Sequence, residues 1–546
     1  MRKPFAITLD VGSSRANHTG AWRTERPVYV DRLPPCNHAC PAGENIQQWL
    51  YDAEEGPARY EAAWRQIMRD NPFPAIMGRV CYRPCETACN RAQLDSAVGI
   101  NSVERFLGDE SLRRGWTVPV TVSPTGKKVL VVGAGPSGLS AAYHLTLLGH
   151  AVTVKDAGAA PGGMMRYGIP KYRLPRDILD AEVSRIRDMG VTLELNSKVI
   201  DIRAELRSGF DAAFVAVGAH IGRRAYIPAG DSARILDAVS VLRDIENPLP
   251  SKTGPPLLGR RVAVYGGGNT AMDAARTARR LGASEAVVVY RRTREKMPAH
   301  DIEVEEALEE GVTMRWLSTV AHAEAGTLTI EKMKLDETGF PQPTGEFTEL
   351  EADCLVLALG QSADLSVLEG VPGVTFSDGV VEVGPDLMTG HAGIFAGGDM
   401  VPSERTVTVA IGHGKKAARH IDAWLRGQGS PAADRHAPVP FGALNTWYYA
   451  DAPGSVRPRL EAARRIGTFD EVTGGLDEST ALFEARRCMS CGNCFGCDNC
   501  YGVCPDNAVI KLAGGRYEID YDYCKGCGLC AAECPCGAIE MIPEPS

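Results

Sequence analysis

KKVLVVGAGPSGLSAAYHLTLLGHAVTVKD, residues 127–156, reads as an apolar strand, a glycine turn, an amphipathic helix and a second strand ending on an acid. Gly133, Gly135 and Gly138 form G-x-G-x-x-G, and Asp156 is the acid. Glycines let the backbone approach a pyrophosphate, the helix N-terminus faces its negative charge, and an acid there can accept from ribose hydroxyls. Such a motif alone is weak, but the strand before it, the helix after it and the placed acid make it strong. The plainer alternative, a tight turn followed by a solvated loop acid, is disfavoured. The stretch predicts a Rossmann-like α/β unit that binds a dinucleotide.

A second copy, RRVAVYGGGNTAMDAARTARRLGASEAVVVYRR at 260–292, carries G-x-G-x-x-A as Gly266, Gly268 and Ala271. Its second strand ends on Arg291 and Arg292 rather than on an acid, and these cations can pair with a 2′-phosphate. NADP(H) is favoured over NAD(H), the alternative being a solvated arginine pair. Further on, HAGIFAGGDMVPSERTVTVAIGHGKKAARHI at 391–421 predicts a strand ending in Gly397, Gly398 and Asp399, then a helix opening near Thr408. Its carboxylate suits a ribityl chain and its helix N-terminus a flavin ring. The first site is thus expected to take FAD, with the nicotinamide unit inserted within the flavin unit.

The C-terminal region contains two C-x2-C-x2-C-x3-C-P runs, the pattern that holds a pair of [4Fe–4S] clusters, with the cysteine before each proline reaching the other cluster. One cluster is expected on Cys494, Cys497, Cys500 and Cys534, the other on Cys524, Cys527, Cys530 and Cys504. Zinc sites or a disulfide framework fit two matching four-cysteine runs less well. Nicotinamide gives two electrons as hydride and a cluster takes one, so a flavin between them completes the chemistry.

Composition agrees with a redox protein inside the cell. The chain has 546 residues, 44% of them apolar, enough for three or four domains with ordinary cores. A net charge of −9 argues against nucleic acid as partner. Most of the 17 cysteines stand in metal-ligand spacings, and the opening MRKPFAITLD meets an aspartate before an apolar leader can form. No stretch approaches the ~18 uncharged apolar residues of a membrane span. A cytoplasmic location is expected.

The motifs GRVCYRPCETAC, VGAGPSGLSAAYHL, MMRYGIPKYRL, GGGNTAMDAAR, VVYRRTREKMPA and FAGGD follow one another in a family order. From about Cys36 to Leu425 the chain resembles the small subunit of glutamate synthase, and is similar to the large subunit of ferredoxin:NADP transhydrogenase and the N-terminal half of dihydropyrimidine dehydrogenase. The resemblance implies a helical iron–sulfur domain followed by a two-domain, disulfide-reductase-like flavoprotein. No cysteine lies between Cys89 and Cys354, so no redox dithiol can stand beside the flavin, which excludes thiol–disulfide reduction.

The N-terminal domain offers Cys36, Cys40, Cys81, Cys85 and Cys89, three short of the eight ligands of two clusters. The C-x-x-C that normally precedes Cys36 in the family is missing, and Cys488 and Cys491 in EARRCMSCGNC resemble that element, displaced. The resemblance implies one cluster on Cys36, Cys89, Cys488 and Cys491, and another on Cys40, Cys81 and Cys85. Its fourth ligand would be Glu104, where the family carries a glutamine or glutamate. The alternatives are a helix-surface acid at Glu104, and a free pair or zinc half-site at Cys488 and Cys491, which would leave one N-terminal cluster. Cys354 is then expected in the core, and Cys536 as a bystander.

The segments NHTGAWRTERPVYVDRLPPC and YEIDYDYCKGCGLCAAECPCGAIEMIPE resemble the two ends of the small delta subunit of 2-oxoacid:ferredoxin oxidoreductases, split around a flavoprotein. Similar tails occur in fusions resembling the reductase of the dissimilatory sulfite system. The expected organisation is an N-terminal iron–sulfur domain (1–120), an FAD domain in two parts (121–255 and 373–427), an NADP(H) domain (256–372), a linker (428–480) and a ferredoxin domain (481–546). The expected activity passes electrons between NADP(H), FAD and about four [4Fe–4S] clusters. The partner is a redox protein, either a 2-oxoacid:ferredoxin oxidoreductase or a ferredoxin, within a hetero-oligomer and without nucleic acid or membrane. A glutamate synthase small subunit, a sulfite-type reductase partner, and a relay subunit with vestigial nucleotide sites are the alternatives.

Overall fold

The computed structural model describes residues 18–223, 225–230, 233–246, 258–429 and 436–545. The opening segment on which the absence of a leader was read, and Asn17 of the first delta-like end, lie outside them.

A strand, β1 (Glu25–Tyr29), is followed by a helical unit of α1 (Ile46–Glu54), α2 (Tyr60–Met68), α3 (Pro74–Val80) and α4 (Ile100–Arg114). Local sequence sets the ends of these helices. The Asn45 side chain accepts from the Gln48 amide at the start of α1, Pro74 opens α3, and Gly115 closes α4 in the left-handed region. Their apolar faces bury Trp49, Tyr60, Ile67 and Leu107 in one core.

The chain next lays down β2 (Lys128–Val132), α5 (Pro136–Leu147), β3 (Ala151–Lys155), α6 (Arg176–Asp188), β4 (Thr192–Glu194) and β5 (Ala212–Val215). A second unit follows, with β6 (Ile235–Asp237), β7 (Arg261–Tyr265), α7 (Asn269–Arg280), β8 (Glu285–Val289), α8 (Asp301–Glu309), β9 (Thr313–Arg315) and β10 (Cys354–Leu357). Its sheet is parallel in the order β9-β8-β7-β10-β6. β6 precedes the boundary read at residue 256, because a three-residue edge strand carries no periodicity to read. The chain then returns to the first sheet with β11 (Ile394–Ala396) and α9 (Val407–Leu425), giving the parallel order β11-β5-β2-β3-β4. Helices cover such sheets on both faces, which is why β2 and β5 are apolar runs rather than alternating ones.

Three contacts lock the iron–sulfur unit onto the flavoprotein. Glu182 of α6 accepts from the Ala75 and Ile76 amides at 3.1 and 3.0 Å, capping α3 from outside. Lys415 of α9 donates to Asp70 at 2.6 Å and to the carbonyls of Ala42 and Gly43. Tyr143 of α5 donates to the Met68 carbonyl.

The stretch expected as a linker is a strap. Arg457 donates to Gly78 and Asn101 of the iron–sulfur unit, Val472 donates to Tyr172 of the first α/β unit, and Arg465 pairs with Glu309 of α8 at 2.7 Å. Beyond it, α10 (Glu478–Arg486) inserts Ala481 and Ala485 into the N-terminal helical core. Finally β12 (Ile539–Pro543) pairs antiparallel with β1, so the two delta-like ends form one unit, further tied by Arg23 to Glu544 at 2.6 Å.

Candidate functional site

The first glycine turn opens on a cavity of about 360 Å³ lined by Gly133, Gly135, Ser137, Asp156, Gly398 and Asp399, among others. Gly133 has φ +108°, and a Cβ there would stand 2.3 Å from the Ala216 carbonyl oxygen. Gly138 does not line the cavity. Its Cβ position is 1.9 Å from the Gly133 oxygen, so its glycine serves the packing of α5 on the turn. Asp156 accepts from the Ala134 and Gly158 amides, both at 2.6 Å. It therefore fixes the turn as well as lining the cavity, and its oxygens keep lone pairs for a ribose hydroxyl.

Two polar groups in this wall suit a hydroxyl- and phosphate-bearing ligand. The Ser137 hydroxyl is buried without a partner. Burial raises the Asp399 carboxyl to about 6, partly opposed by Arg405. FAD fits this donor and acceptor pair. Thr408 lines neither cavity. The helix cap is Thr406, and the Thr408 hydroxyl donates instead to the Cys81 sulfur at 3.3 Å.

The second glycine turn borders a larger cavity of about 1030 Å³ lined by Gly266, Gly268, Arg291 and Arg292. Ala271 is fully buried behind the turn. The Arg292 Nε is buried and without a partner, as a site awaiting an anion would leave it. Lys296 lines the same cavity, a third cation that the basic run RRTREK signals although attention to the arginine pair alone passes it by. NADP(H) fits this wall. Pro136, Met164, Ala219, Asp399 and Ala410 line both cavities, so the two spaces meet beside Asp399.

All the cysteines except Cys354 and Cys536 fall into four groups. Cys36, Cys89, Cys488 and Cys491 line one small cavity, and burial together with the other three thiols pushes the Cys36 thiol up. Cys504, Cys524, Cys527 and Cys530 line another. Burial and then Cys494, Cys497 and Cys534 raise the Cys500 thiol, with the Tyr29 hydroxyl acting in the opposite sense. For Cys85 the causes are burial and then Cys81, Glu86, Cys40 and Glu104.

Glu104 is buried and accepts from Asn71 at 2.8 Å, and burial, Glu44 and Glu182 push its carboxyl up. A buried acid among acids is costly unless a cation or metal offsets it, so Glu104 fits a fourth ligand better than a surface acid. Among the described residues no three His, Cys, Asp or Glu side chains converge as tightly as one ion requires. A four-iron cluster holds its ligands further apart. Cys354 sits in the core of the second α/β unit, and Cys536 is buried with its sulfur 3.7 Å from that of Cys534.

Comparison with known proteins places these features. Residues 127–414 match the family described as pyridine nucleotide-disulphide oxidoreductase. Residues 21–116 match dihydropyrimidine dehydrogenase domain II, 4Fe-4S cluster, and 493–538 the 4Fe-4S dicluster domain. The NADP(+)-dependent formate dehydrogenase subunit beta of Moorella thermoacetica is 37% identical over 504 residues, covering 84% of this chain and 70% of that one. The NADPH-Fe(3+) oxidoreductase subunit beta of Geobacter sulfurreducens is 32% identical over 525 residues, covering 85% and 76%. The glutamate synthase [NADPH] small chain of Escherichia coli is 33% identical over 426 residues, covering 72% and 89%. The chain thus belongs to the pyridine nucleotide-disulphide oxidoreductase family, as an FAD-dependent iron–sulfur oxidoreductase that uses NADPH.

Proposed function

We propose that this chain exchanges electrons between NADP(H) and a separate redox subunit, and that the observation carrying this is the meeting of its two cavities beside Asp399. FAD, when bound, supplies the change from hydride to single electrons. The residues do the rest. Gly133, Gly135, Asp156, Gly398 and Asp399 hold the flavin nucleotide, with Gly138 packing the turn. Gly266, Gly268, Arg291, Arg292 and Lys296 hold NADP(H), with Ala271 packing its helix.

Four [4Fe–4S] clusters are held by the four cysteine groups, with Glu104 completing the one on Cys40, Cys81 and Cys85. Thr408 ties α9, which borders both cavities at Ala410, to Cys81. The buried Tyr449 feels both Cys491 and Cys488 of the N-terminal group and Cys497 of the ferredoxin group, which brings those two groups near one residue. These contacts support a path from the flavin cavity through the N-terminal groups to the ferredoxin end.

The partner is a catalytic subunit in a hetero-oligomer, and the specific reading is a 2-oxoacid:ferredoxin oxidoreductase. The β1–β12 pairing supports it by joining the delta-like ends into one ferredoxin unit. A formate-oxidising partner is the second reading, favoured by the Moorella relative, which is a formate dehydrogenase beta subunit. A glutamate synthase large subunit is disfavoured by the ferredoxin tail. No described helix is long and apolar enough to cross a membrane.

The test is to isolate the tagged chain from its own cells anaerobically and identify what accompanies it, then follow NADP⁺ reduction on adding a 2-oxoacid with coenzyme A, or formate. Reduction with the 2-oxoacid is expected. Reduction with formate alone would replace the first reading by the second.

A further inference from the structure

The larger cavity is not built by the two α/β units alone. Val80, which ends α3, and Tyr82, beyond it on the stretch that carries Cys81 and Cys85, line it beside Arg173 and His300. The Tyr82 ring stacks on the His300 ring with centroids 3.6 Å apart and planes 16° from parallel. His300 is itself tied to the second glycine turn, because its backbone N–H donates to the Asn269 side-chain oxygen at 3.0 Å, and the Ala299 amide donates to the Gly267 carbonyl. At its hydroxyl, Tyr82 meets the Arg173 guanidinium. Arg173 is anchored to α7 and α8 by ion pairs with Asp273 at 2.8 Å and with Glu303. Tyr82 is therefore braced at its face by His300 of the second α/β unit and at its hydroxyl by Arg173 of the first, while its backbone neighbour Cys81 belongs to a cluster group.

We propose that Tyr82 is a nucleotide-positioning residue contributed by the iron–sulfur domain: stacked on His300, it forms the wall that directs the nicotinamide half of NADP(H) toward the flavin. The inference rests on the second cavity being the NADP(H) site. The three cations Arg291, Arg292 and Lys296 line the same cavity, and so does Asp399, which it shares with the flavin cavity. An aromatic wall in this cavity gives a flat surface to a planar ring, and held by His300 at one face and Arg173 at its hydroxyl it loses little freedom on binding. The loop bearing Tyr82 also bears Cys81, so nucleotide occupancy and the environment of that cysteine group are coupled, and by linkage the coupling acts in both directions.

The experiment uses the full chain with its cofactors, in the wild-type, Tyr82→Ala, Tyr82→Phe and His300→Ala forms, each checked for equal flavin and iron content. Affinities for NADP⁺ and for 2′,5′-ADP, which lacks the nicotinamide half, are measured calorimetrically in the oxidised protein without turnover. Tyr82→Ala and His300→Ala are expected to weaken NADP⁺ binding by roughly three- to tenfold, the worth of one lost aromatic contact. Tyr82→Phe should hold the wild-type value, and 2′,5′-ADP should bind all four forms alike. In protein kept fully reduced with dithionite, an NADPH-induced change in the cluster EPR spectrum is expected in the wild type and lost in Tyr82→Ala. Wild-type protein that fails to bind 2′,5′-ADP would refute the site itself. If it binds 2′,5′-ADP but NADP⁺ affinity is the same in all four forms, the site stands and the role of Tyr82 is refuted. A Tyr82→Ala protein that loses iron is judged by His300→Ala, which lies outside the cysteine loop.

Discussion

Tyr29 places its hydroxyl 3.3 Å from the Cys500 sulfur, and burial followed by that contact pushes the phenol well above its usual range. A protonated phenol can only donate to a ligating thiolate, and donors to cluster sulfurs favour the reduced state. Tyr29→Phe should therefore lower the midpoint of the cluster held by Cys500. A hydrogen bond worth about 0.5–1.5 kcal/mol corresponds to roughly 20–65 mV for one electron, readable by EPR during an anaerobic redox titration. Coincident midpoints in the two proteins would show that the hydroxyl does not act on the cluster. Cys500 was legible because two of its three partners stand with it in one short run, and local spacing is what a sequence displays best. Tyr29 was not, since the contact spans 471 positions and a tyrosine in a strand has no pattern of its own. The same holds for Tyr82 against His300, and for the orphan hydroxyl of Ser137.

Helices α5 and α9 show how one small residue decides an element's place. A Cβ at Gly414 would stand 2.3 Å from the Ser137 oxygen and 2.7 Å from the Ala141 nitrogen, both backbone atoms of α5. Alanine is the better helix former by about 1 kcal/mol, so propensity alone would make Gly414→Ala stabilising. The collision is with main chain that cannot rotate away, and overpacking of this kind costs about 1–3 kcal/mol. The expected outcome is a lower melting temperature and easier loss of FAD, since α5 begins at the flavin cavity. A raised melting temperature with full flavin retention would show that the helices can part without cost. Both strand–turn–helix units were readable because period and glycine spacing agree within thirty-odd residues. The strap was not. Its arginines at 457, 459 and 465 look like solvated charges until Gly78, Asn101, Glu306 and Glu309 are brought beneath them by the rest of the chain.

At the scale of the molecule, the C-terminal segment serves two units at once. α10 fills the N-terminal core, Arg487 pairs with Glu484 and Asp95, and Cys488 and Cys491 then join Cys36 and Cys89 before the ferredoxin unit begins. Deleting the chain from Cys488 onward keeps α10 and both nucleotide cavities, yet removes the ferredoxin ligands and half of one N-terminal set. Iron should fall from about 16 to about 4 per flavin, while NADPH still bleaches the flavin anaerobically. Retention of about 8 irons would mean that Cys36 and Cys89 keep their cluster without the tail. The pairing of Glu25–Tyr29 with Ile539–Pro543 has a further consequence in time rather than in space. A chain made from its N-terminus at roughly 5–20 residues per second exposes the first strand about half a minute to nearly two minutes before its partner emerges. Throughout that interval an unpaired edge is open to other chains. Assembly of this protein is therefore most vulnerable during its own translation, and the ferredoxin unit, though split between both ends of the molecule, can be closed only after the flavoprotein between them has been made.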